Sequence, residues 1–328
     1  MTNVDLGPID LYDRTRYVEG VPHEWFEVLR RESPVHWHEA PAGPGFWAVT
    51  RHDDVVAVNR DWERFSSHRG ATLIDDLDAG SLAQQQLMML NMDPPLHTRY
   101  RLLINKGFTP RMVARLEEAM TSRAGAIVDE ICERGECDFV TDVAAELPLQ
   151  VIADILGVPQ DDRHLVFDWS NRLVGAADPE YQHGQEHAMN AAMELYAYAH
   201  DLASQRRDSP KDDIVSILLK AEVDGHTLSE LELDMFFLLL SVAGNETTRN
   251  GIAHGMLALI EHPDQRQRLI DDPSLTGTGV EEMLRWGTPV MHFRRTATCD
   301  TEIGGQAVAE GDKVVIWYIS ANRDDAFF

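Results

Sequence analysis

A long, largely apolar stretch near the middle of the chain constrains the fold more than any other feature of the sequence. Between Thr227 and Ile260, the residues from Met235 to Leu240 are apolar on every side of a helix, which predicts a helix buried in the core. Thr227 and Glu230 have the spacing of a capping box, and Pro263 is expected to end the helix. About 34 residues at roughly 1.5 Å each make a rod of about 50 Å, enough to cross a domain.

The apolar character of this helix is interrupted at its centre. Ala243 and Gly244 are small, and the four residues from Asn245 to Thr248 are polar where burial costs free energy unless hydrogen bonds compensate. Small residues leave room for a flat ligand against the backbone, and Glu246 and Thr247 offer a proton and a hydroxyl beside it. A kinked helix with solvated polar groups is the alternative explanation.

Composition excludes several classes of function. The 328 residues include 55 acidic and 29 basic side chains, a formal net charge of -26, which argues against nucleic-acid binding and against adhesion to anionic membranes. The sequence contains no run of about 18 apolar residues, so no membrane span is predicted. The N-terminal MTNVDLGPIDLYD lacks the basic start and apolar core of a signal peptide. Cys132, Cys137 and Cys299 show neither metal-ligand spacing nor a disulfide framework, so a reducing cytoplasm is expected.

The other patterns predict a mainly α protein with small β-sheets, organised as a single domain over residues 1–328. Strand patterns occur near both ends of the chain, whereas helical patterns fill its middle. Gly70 to Gln86 has no clear period and is predicted to be a mobile loop. Strands are predicted at 35–38, 46–51, 293–298, 301–303 and 313–319. Helices are predicted at 111–133, 146–156, 161–173, 187–206 and 279–286.

Several polar residues lie before and after the central helix in the sequence. His97 and Arg101 are four apart on a predicted helix that begins at a Pro-Pro pair. Glu282 and Arg285 are three apart on a short helix, and Arg295 stands in a predicted strand. Each of them alone is explained by a solvated face or a surface ion pair. Their common order around the polar segment of the central helix indicates a shared function.

Together these segments resemble the cytochrome P-450 family of haem-thiolate monooxygenases. Ala243-Gly244-Asn245-Glu246-Thr247-Thr248 is similar to the family's oxygen-activation motif, and Glu282-Met283-Leu284-Arg285 is similar to its ExxR motif. His97-Thr98-Arg99-Tyr100-Arg101 is similar to the segment that binds the haem propionates, and Arg295 is similar to a further propionate-binding arginine. The resemblance extends from the N-terminal hairpin to the last residue.

The resemblance implies haem b as the cofactor and O2 as a co-substrate. The small residues would face the flat of the haem, and the cationic side chains would donate hydrogen bonds to its propionates. The implied cofactor-binding residues are His97, Arg101, Ala243, Gly244, Thr247 and Arg295.

The resemblance also implies catalytic and structural residues. Thr247 would donate a hydrogen bond to dioxygen, and Glu246 would relay protons from solvent. Glu282 and Arg285 would be structural, as a buried pair behind the haem in which loss of one partner is costly.

Substrate contacts in the family come from segments that correspond here to 71–92, 168–186 and 289–293. Their apolar residues predict a bulky apolar substrate, a sterol, terpenoid or fatty-acid-like molecule, although core packing is the simpler explanation for any one of them. The predicted pocket residues are Met88, Leu90, Val290, Met291 and Phe293. The segments 105–110 and 132–139 resemble soluble actinobacterial members that oxidise sterol and isoprenoid side chains, which implies a ferredoxin and a ferredoxin reductase as electron donors.

One part of the family pattern has no counterpart in the sequence. The family's axial Cys lies in a Gly-rich loop, and the sequence stops at Phe328 before such a loop. The expectation is a cytochrome P-450 fold that lacks its C-terminal portion, as a natural truncation or a sequence fragment, with no metal ligand in this chain. Without the thiolate, the chain as written is expected to be inactive. Cys299 is expected to be packed in a strand and not to replace the ligand.

Two other functions are compatible with parts of the sequence. The chain is alternatively a non-catalytic helical module that binds an apolar ligand or haem. A non-haem metal enzyme is the third hypothesis, because His183 and His187 are four apart and His36 and His38 alternate on a strand. Neither histidine pair has a carboxylate placed as in an HExxH motif, so solvated histidines are the simpler explanation.

Overall fold

The computed structural model describes residues 9–41, 43–175 and 184–328. They divide into two compact units. Unit 1 comprises the described residues up to Gln86, then Leu90–Pro94 and His262–Phe328, and unit 2 comprises Leu87–Met89 and Pro95–Glu261. The predicted fold class, mainly α with small sheets, is confirmed. The single-domain assignment over residues 1–328 stays a prediction.

The elements are numbered in chain order over the described residues. The helices are α1 (His23–Glu32), α2 (His52–Arg60), α3 (Ala79–Gln85), α4 (Leu96–Asn105), α5 (Pro110–Arg134), α6 (Glu146–Leu156), α7 (Arg163–Val174), α8 (Gly184–Asp208), α9 (Ile214–Leu218), α10 (Glu230–Glu261), α11 (Pro263–Asp271), α12 (Thr276–Gly287) and α13 (Tyr318–Ala321). The strands are β1 (Val35–His38), β2 (Phe46–Val49), β3 (Phe65–Ser66), β4 (His292–Ala297), β5 (Thr301–Ile303), β6 (Gln306–Val308) and β7 (Lys313–Trp317).

Unit 1 is built on one sheet whose strands come from both ends of the sequence. The strand order is β1-β2-β7-β4-β3, and Trp47 of β2 pairs with Val314 of β7 in parallel. The expected strand pairs near the two ends therefore join into one sheet, with β5 and β6 as a separate hairpin. The predicted strand 313–319 stops at Trp317, where the chain turns into α13. Phe26 packs against the Trp317 ring, with ring centroids 5.1 Å apart.

The segment from Gly70 to Gln86, predicted to lack regular structure, contains helix α3 and is tied to the sheet of unit 1. Asp76 accepts hydrogen bonds from Arg294 at 2.8 Å and from Lys313 at 2.9 Å. Both cationic side chains are buried, at 5% and 4% exposure. The prediction was wrong because these partners lie more than two hundred residues away, beyond the reach of a local pattern.

Unit 2 is a helical body whose core lies among α6, α7, α8 and α10. Leu156, Leu195 and Phe237 are fully buried members of this core. Helix α10 has 32 residues and begins at Glu230. The capping box is formed by Ser229 and Glu232, whose side chains bond to each other's backbone N–H groups. The predicted box at Thr227 and Glu230 is therefore wrong by two residues, because the same spacing occurs twice in succession.

A buried ion pair joins three elements of unit 2. Arg206 of α8 donates to Asp213 at 2.5 Å and to the carbonyl of Gly157 at 2.6 Å. Both charged side chains are 4% exposed, and Asp213 also caps α9 through the N–H of Ser216. Gly157 has a φ of 76°, and a Cβ there would overlap Asp213. Glycine at this position thus serves both the left-handed turn after α6 and the close approach of Asp213.

No helix among the described residues is both long enough and apolar enough to cross a membrane.

Candidate functional site

The polar segment of α10 lies in an unbroken helix of unit 2. Ala243 is exposed, Gly244 and Thr247 are half-buried, and Asn245 is fully buried. The hydroxyl of Thr247 donates to the carbonyl of Ala243 at 2.6 Å, so it is satisfied within its own helix in this state. That hydroxyl must leave its backbone partner before it can donate a hydrogen bond to a ligand.

Gly244 makes room for a neighbouring helix of unit 2. A Cβ at this position would overlap Cδ1 of Ile152 on α6 and lie 3.1 Å from its Cγ1. Ile152 is itself 5% exposed, so its side chain is enclosed by the core. The structure therefore gives close helix packing as a reason for glycine here. Contact of Ala243 and Gly244 with haem stays a prediction.

Glu246 is held by a short chain of polar contacts. Its Oε2 accepts a hydrogen bond from Arg249, and Arg249 donates in turn to Oδ1 of Asn171 on α7 at 3.2 Å. The side chains of Glu246 and Arg249 are only 12% and 19% exposed. Burial raises the pKa of Glu246 above its ordinary value, and the charge of Arg249 opposes that rise. A carboxyl group with a raised pKa suits proton exchange near neutral pH.

Buried polar atoms without partners cluster at the same place in α10. Neither Oδ1 nor Nδ2 of Asn245 has a hydrogen-bond partner among the described residues, although Asn245 is 0% exposed. Oε1 of Glu246 is also buried and unpaired within the described part of the chain. Most buried polar groups are paired with protein or ordered water. Sequence reasoning did not single out Asn245, although a polar residue inside a buried helix was the signal available.

Helix α4 carries two side chains that can donate hydrogen bonds. His97 is half-buried and Arg101 is exposed, and neither forms a hydrogen bond or an ion pair with any described residue. Four residues apart, they share one face of α4, as predicted. Between them Arg99 lies over the ring of Tyr100, 5.6 Å from its centroid. The two donors have the chemistry that carboxylate binding requires.

In unit 1, Arg295 is fixed by its neighbours. It donates to the carbonyl of Arg294 at 2.9 Å and to Oδ1 of Asn59 at 2.8 Å. Tyr318 also donates to Asn59 at 3.4 Å. Burial lowers the pKa of Arg295, and the nearby Tyr318 opposes that effect. Asn59, which sequence reasoning missed, lies on α2 more than two hundred residues before Arg295.

The ExxR pair of α12 forms as expected, but it is not buried. Arg285 donates to both carboxylate oxygens of Glu282, at 2.7 and 2.6 Å, and also bonds to the carbonyl of Asn322. Glu282 is 60% exposed, whereas Arg285 is 19% exposed. The expected burial of Glu282 is therefore wrong: α12 has no fully buried residue, and the described residues leave most of this side chain exposed. The hydrogen bonds from Arg285 lower the pKa of Glu282.

The predicted pocket residues occupy different environments within their units. Met88 packs against the core of unit 2. Met291 and Phe293 pack against cores of unit 1, where the Phe293 ring meets Tyr318 edge-on at 6.1 Å. Leu90 is 39% exposed, and Val290 is half-buried. Core packing thus accounts for three of the five, and contact with substrate stays a prediction for all of them.

The cysteines and histidines give no support to a non-haem metal site. All three cysteines are exposed, and Cys299 lies in a bend after β4, so the expected packing in a strand is wrong. No group of three or more His, Cys, Asp or Glu side chains in the described ranges is placed to hold a metal ion. His38 accepts a hydrogen bond from the N–H of Leu11 at 2.9 Å. His183 lies outside the described residues.

The comparisons with known proteins give one consistent result. Residues 135–274 match the family model described as cytochrome P450. A steroid C26-monooxygenase from Rhodococcus jostii (strain RHA1) is 43% identical over 97% of this chain and 69% of its own length.

The chain belongs to the cytochrome P450 family. The resemblance predicted from the sequence is thereby confirmed, and the chain is a P450 monooxygenase by family. A methyl-branched lipid omega-hydroxylase from Mycobacterium tuberculosis (strain ATCC 25618 / H37Rv) is 40% identical, with 100% of this chain and 78% of that protein covered. The solved structure of a Mycobacterium marinum cytochrome P450 in complex with pseudoionone superposes with a TM-score of 0.88 at 42% identity, covering 98% of this chain and 82% of that one.

Membership of the P450 family brings haem b as the cofactor. The donor set fits it, because His97 and Arg101 are positive or hydrogen-bonding side chains on one helix face with no competing partner among the described residues. Arg295 stays a predicted donor, and within unit 1 its guanidinium is oriented by Asn59. Gly244 gives no independent support, because the space beside it is filled by Ile152.

Proposed function

We propose that this P450 hydroxylates the branched aliphatic part of a steroid or methyl-branched lipid, using O2 and electrons from a ferredoxin. The observation that supports the substrate class is the identity of 40–43%, over nearly the whole chain, to proteins named for steroid and methyl-branched lipid hydroxylation. The apolar character of Met88, Leu90, Val290, Met291 and Phe293 agrees with such a substrate.

The propionates of haem b are bound by His97 and Arg101 of α4 and by Arg295 of β4 in this proposal. Haem, when bound, supplies the activation of O2. Arginine suits this role because its planar guanidinium matches a carboxylate with two parallel hydrogen bonds. Asn59 holds the guanidinium of Arg295 in one orientation, which reduces the conformational freedom lost on binding.

Glu246 and Thr247 are the catalytic pair in this proposal. Glu246 exchanges protons through the oxygen that Arg249 leaves unpaired, and burial keeps its pKa above that of an exposed glutamate. Thr247 turns its hydroxyl from the Ala243 carbonyl toward the ligand. Glu282 and Arg285 are structural, and their two hydrogen bonds fix the last turns of α12.

The electron donors are a ferredoxin and a ferredoxin reductase, and the protein acts in the cytoplasm. This part of the proposal is supported by the resemblance of the sequence to soluble actinobacterial members. Reconstitution tests it: in a protein that also carries the axial thiolate, a ferredoxin with its reductase should sustain substrate-dependent oxidation of NAD(P)H, whereas the reductase alone should not.

The substrate class is tested by equilibrium dialysis of the haem-loaded chain. The probe is a steroid that carries a branched aliphatic side chain, and the matched control is the same ring system without the side chain. We expect binding of the probe to be at least about tenfold tighter, since a buried branched chain of several carbons gains about 0.8 kcal/mol per CH2 group. Equal affinity for the two compounds would contradict the proposed side-chain recognition. Tight binding without hydroxylation in the reconstituted system would favour the non-catalytic module instead.

A further inference from the structure

A polar seam runs through the core of unit 2 between α7 and α10. On α10, Ser241, Asn245 and Arg249 recur every four residues and therefore share one helix face. The first and last of them bond to α7: Ser170 Oγ donates to the Ser241 carbonyl at 3.1 Å, and Arg249 donates to Asn171 at 3.2 Å. We call these five residues the α7–α10 seam. A row of polar groups in a hydrophobic core needs a reason beyond packing.

Asn245 lies between the two bonded positions, yet its own amide is unpaired. Ser170, Ser241 and Asn245 are all 0% exposed, so bulk solvent does not reach these side chains directly. Neither amide atom of Asn245 has a partner among the described residues. Buried amides are normally satisfied by protein or by ordered water with two to four polar neighbours. The seam therefore has the groups that bind ordered water.

Glu246 adjoins the seam through Arg249. One carboxylate oxygen accepts the hydrogen bond from Arg249, and the other is buried and unpaired within the described part of the chain. Arg249 is anchored at its second nitrogen by Asn171, so the guanidinium bridges α7 and Glu246. The carboxylate is consequently held at one oxygen and left open at the other.

We propose that Arg249, anchored by Asn171, is the positioning residue for Glu246, and that the free oxygen exchanges protons with water bound in the seam by Asn245. The inference rests on the proposed proton-relay function of Glu246. In each exchange the Oε1–H bond of the neutral acid breaks and the proton passes to a water oxygen. The hydronium ion so formed passes its extra proton on to further water, and a hydronium ion from the solvent side reprotonates the carboxylate at Oε1, so charge and atoms balance.

Removal of Arg249 has a defined electrostatic effect on Glu246. Arg249 is the one charged group that acts on this carboxyl in the described part of the chain, and it favours the ionised form. Arg249→Gln removes that charge but keeps a side chain of similar length. The titration midpoint of Glu246 should therefore move to higher pH.

The experiment is a pH titration of the full chain with 13C-labelled glutamate carboxyls, followed by NMR. Glu246 is assigned as the resonance lost in Glu246→Gln. We expect an upward shift of its midpoint in Arg249→Gln and a smaller upward shift in Asn171→Ala, which frees the guanidinium without removing it. Arg207→Gln is the matched control, because Arg207 pairs with Glu230 at 2.9 Å in unit 2 but both side chains are exposed. An unchanged titration midpoint of Glu246 in both seam variants overturns the positioning role. Should Arg249→Gln not fold, the result for Asn171→Ala alone decides the question.

The water is tested separately, by magnetisation transfer from solvent to the side-chain amide protons of Asn245. Transfer is expected in the wild-type chain and not for an amide sealed in a dry core, so its absence overturns the water-filled seam. Both measurements are independent of turnover. If the midpoint of Glu246 shifts in the seam variants but the protein does not hydroxylate, the positioning role of Arg249 stands and the proposed function is refuted. If the protein hydroxylates but the midpoint does not shift, the proposed function stands and the positioning role is refuted.

Discussion

Gly244→Ala separates helix packing from ligand contact as the reason for the central glycine. The added Cβ overlaps Cδ1 of Ile152, whose side chain is 5% exposed and has little room to move. Overpacking of this kind costs about 1–3 kcal/mol. Alanine in place of glycine inside a helix gains about 1 kcal/mol. We therefore expect a net loss of about 1 kcal/mol in the free energy of unfolding.

The assay is urea unfolding followed by far-UV circular dichroism, with two further variants. Gly125→Ala on α5 is the matched control, because a Cβ there meets no atom of the described residues within 4 Å, and it should stabilise the chain by about 0.5–1 kcal/mol. In an Ile152→Val background the overlapping Cδ1 is gone. Gly244→Ala should then become neutral or stabilising, which corresponds to a coupling of about 1–2 kcal/mol between the two sites.

One result would refute this reasoning. If Gly244→Ala stabilises the wild-type chain as much as Gly125→Ala does, Ile152 does not fill the space beside Gly244. The glycine would then be explained by contact with a ligand, as the family resemblance implied.

Two other perturbations test the buried ion pair of unit 2 and the half-buried His292 of β4. Asp213→Ala should lower the free energy of unfolding by about 3–5 kcal/mol in urea titrations, because it leaves the buried Arg206 with the Gly157 carbonyl as its one remaining hydrogen-bond partner among the described residues. The exposed control Arg207→Ala should cost under about 1 kcal/mol, and equal losses in the two variants would contradict the account. Burial lowers the pKa of His292 to about 4 from its ordinary 6.5, so the folded chain keeps it neutral while the unfolded chain takes up the proton. Stability should therefore fall as the pH drops from 6.5 toward about 4, and His292→Phe should flatten that part of the profile, whereas an unchanged slope would show that His292 does not contribute.

Helices with a clear period and strong end signals were predictable from the sequence. The predicted bounds of α6 agree with the structure at both ends. At the C-terminal end, Gly157 stops the helix by adopting a left-handed backbone conformation. The start of α10 was misplaced because the capping spacing occurs at Thr227 and again at Ser229, and local sequence does not say which one the tertiary structure uses.

Features made by distant partners were not predictable. The sheet of unit 1 pairs β2 with β7 across more than two hundred residues, and strand patterns carry no information on such partners. The bonds from Arg294 and Lys313 to Asp76 were missed for the same reason.

The candidate site was predictable as residue types but not as contacts. Local spacing placed Glu246 next to Thr247 on the central helix. It also placed His97 and Arg101 on one face of α4. It did not show that Asn171, on another helix, anchors Arg249, nor that Ile152 fills the space beside Gly244. Contacts between helices depend on which faces meet, and that is decided by packing of the whole unit.

The central claim, that His97 and Arg101 of α4 bind the haem propionates, is tested most directly by measuring haem affinity. The measurement is an absorption titration of the chain with haem, comparing wild type with the double variant His97→Ala/Arg101→Ala and with Arg115→Ala, an exposed arginine on α5, as control. The account predicts saturable binding of one haem per chain, weakened at least about tenfold in the double variant and unchanged in the control, since a charged hydrogen bond contributes about 1.5–3 kcal/mol. Equal haem affinity in all three proteins would contradict the assignment of His97 and Arg101 as propionate ligands.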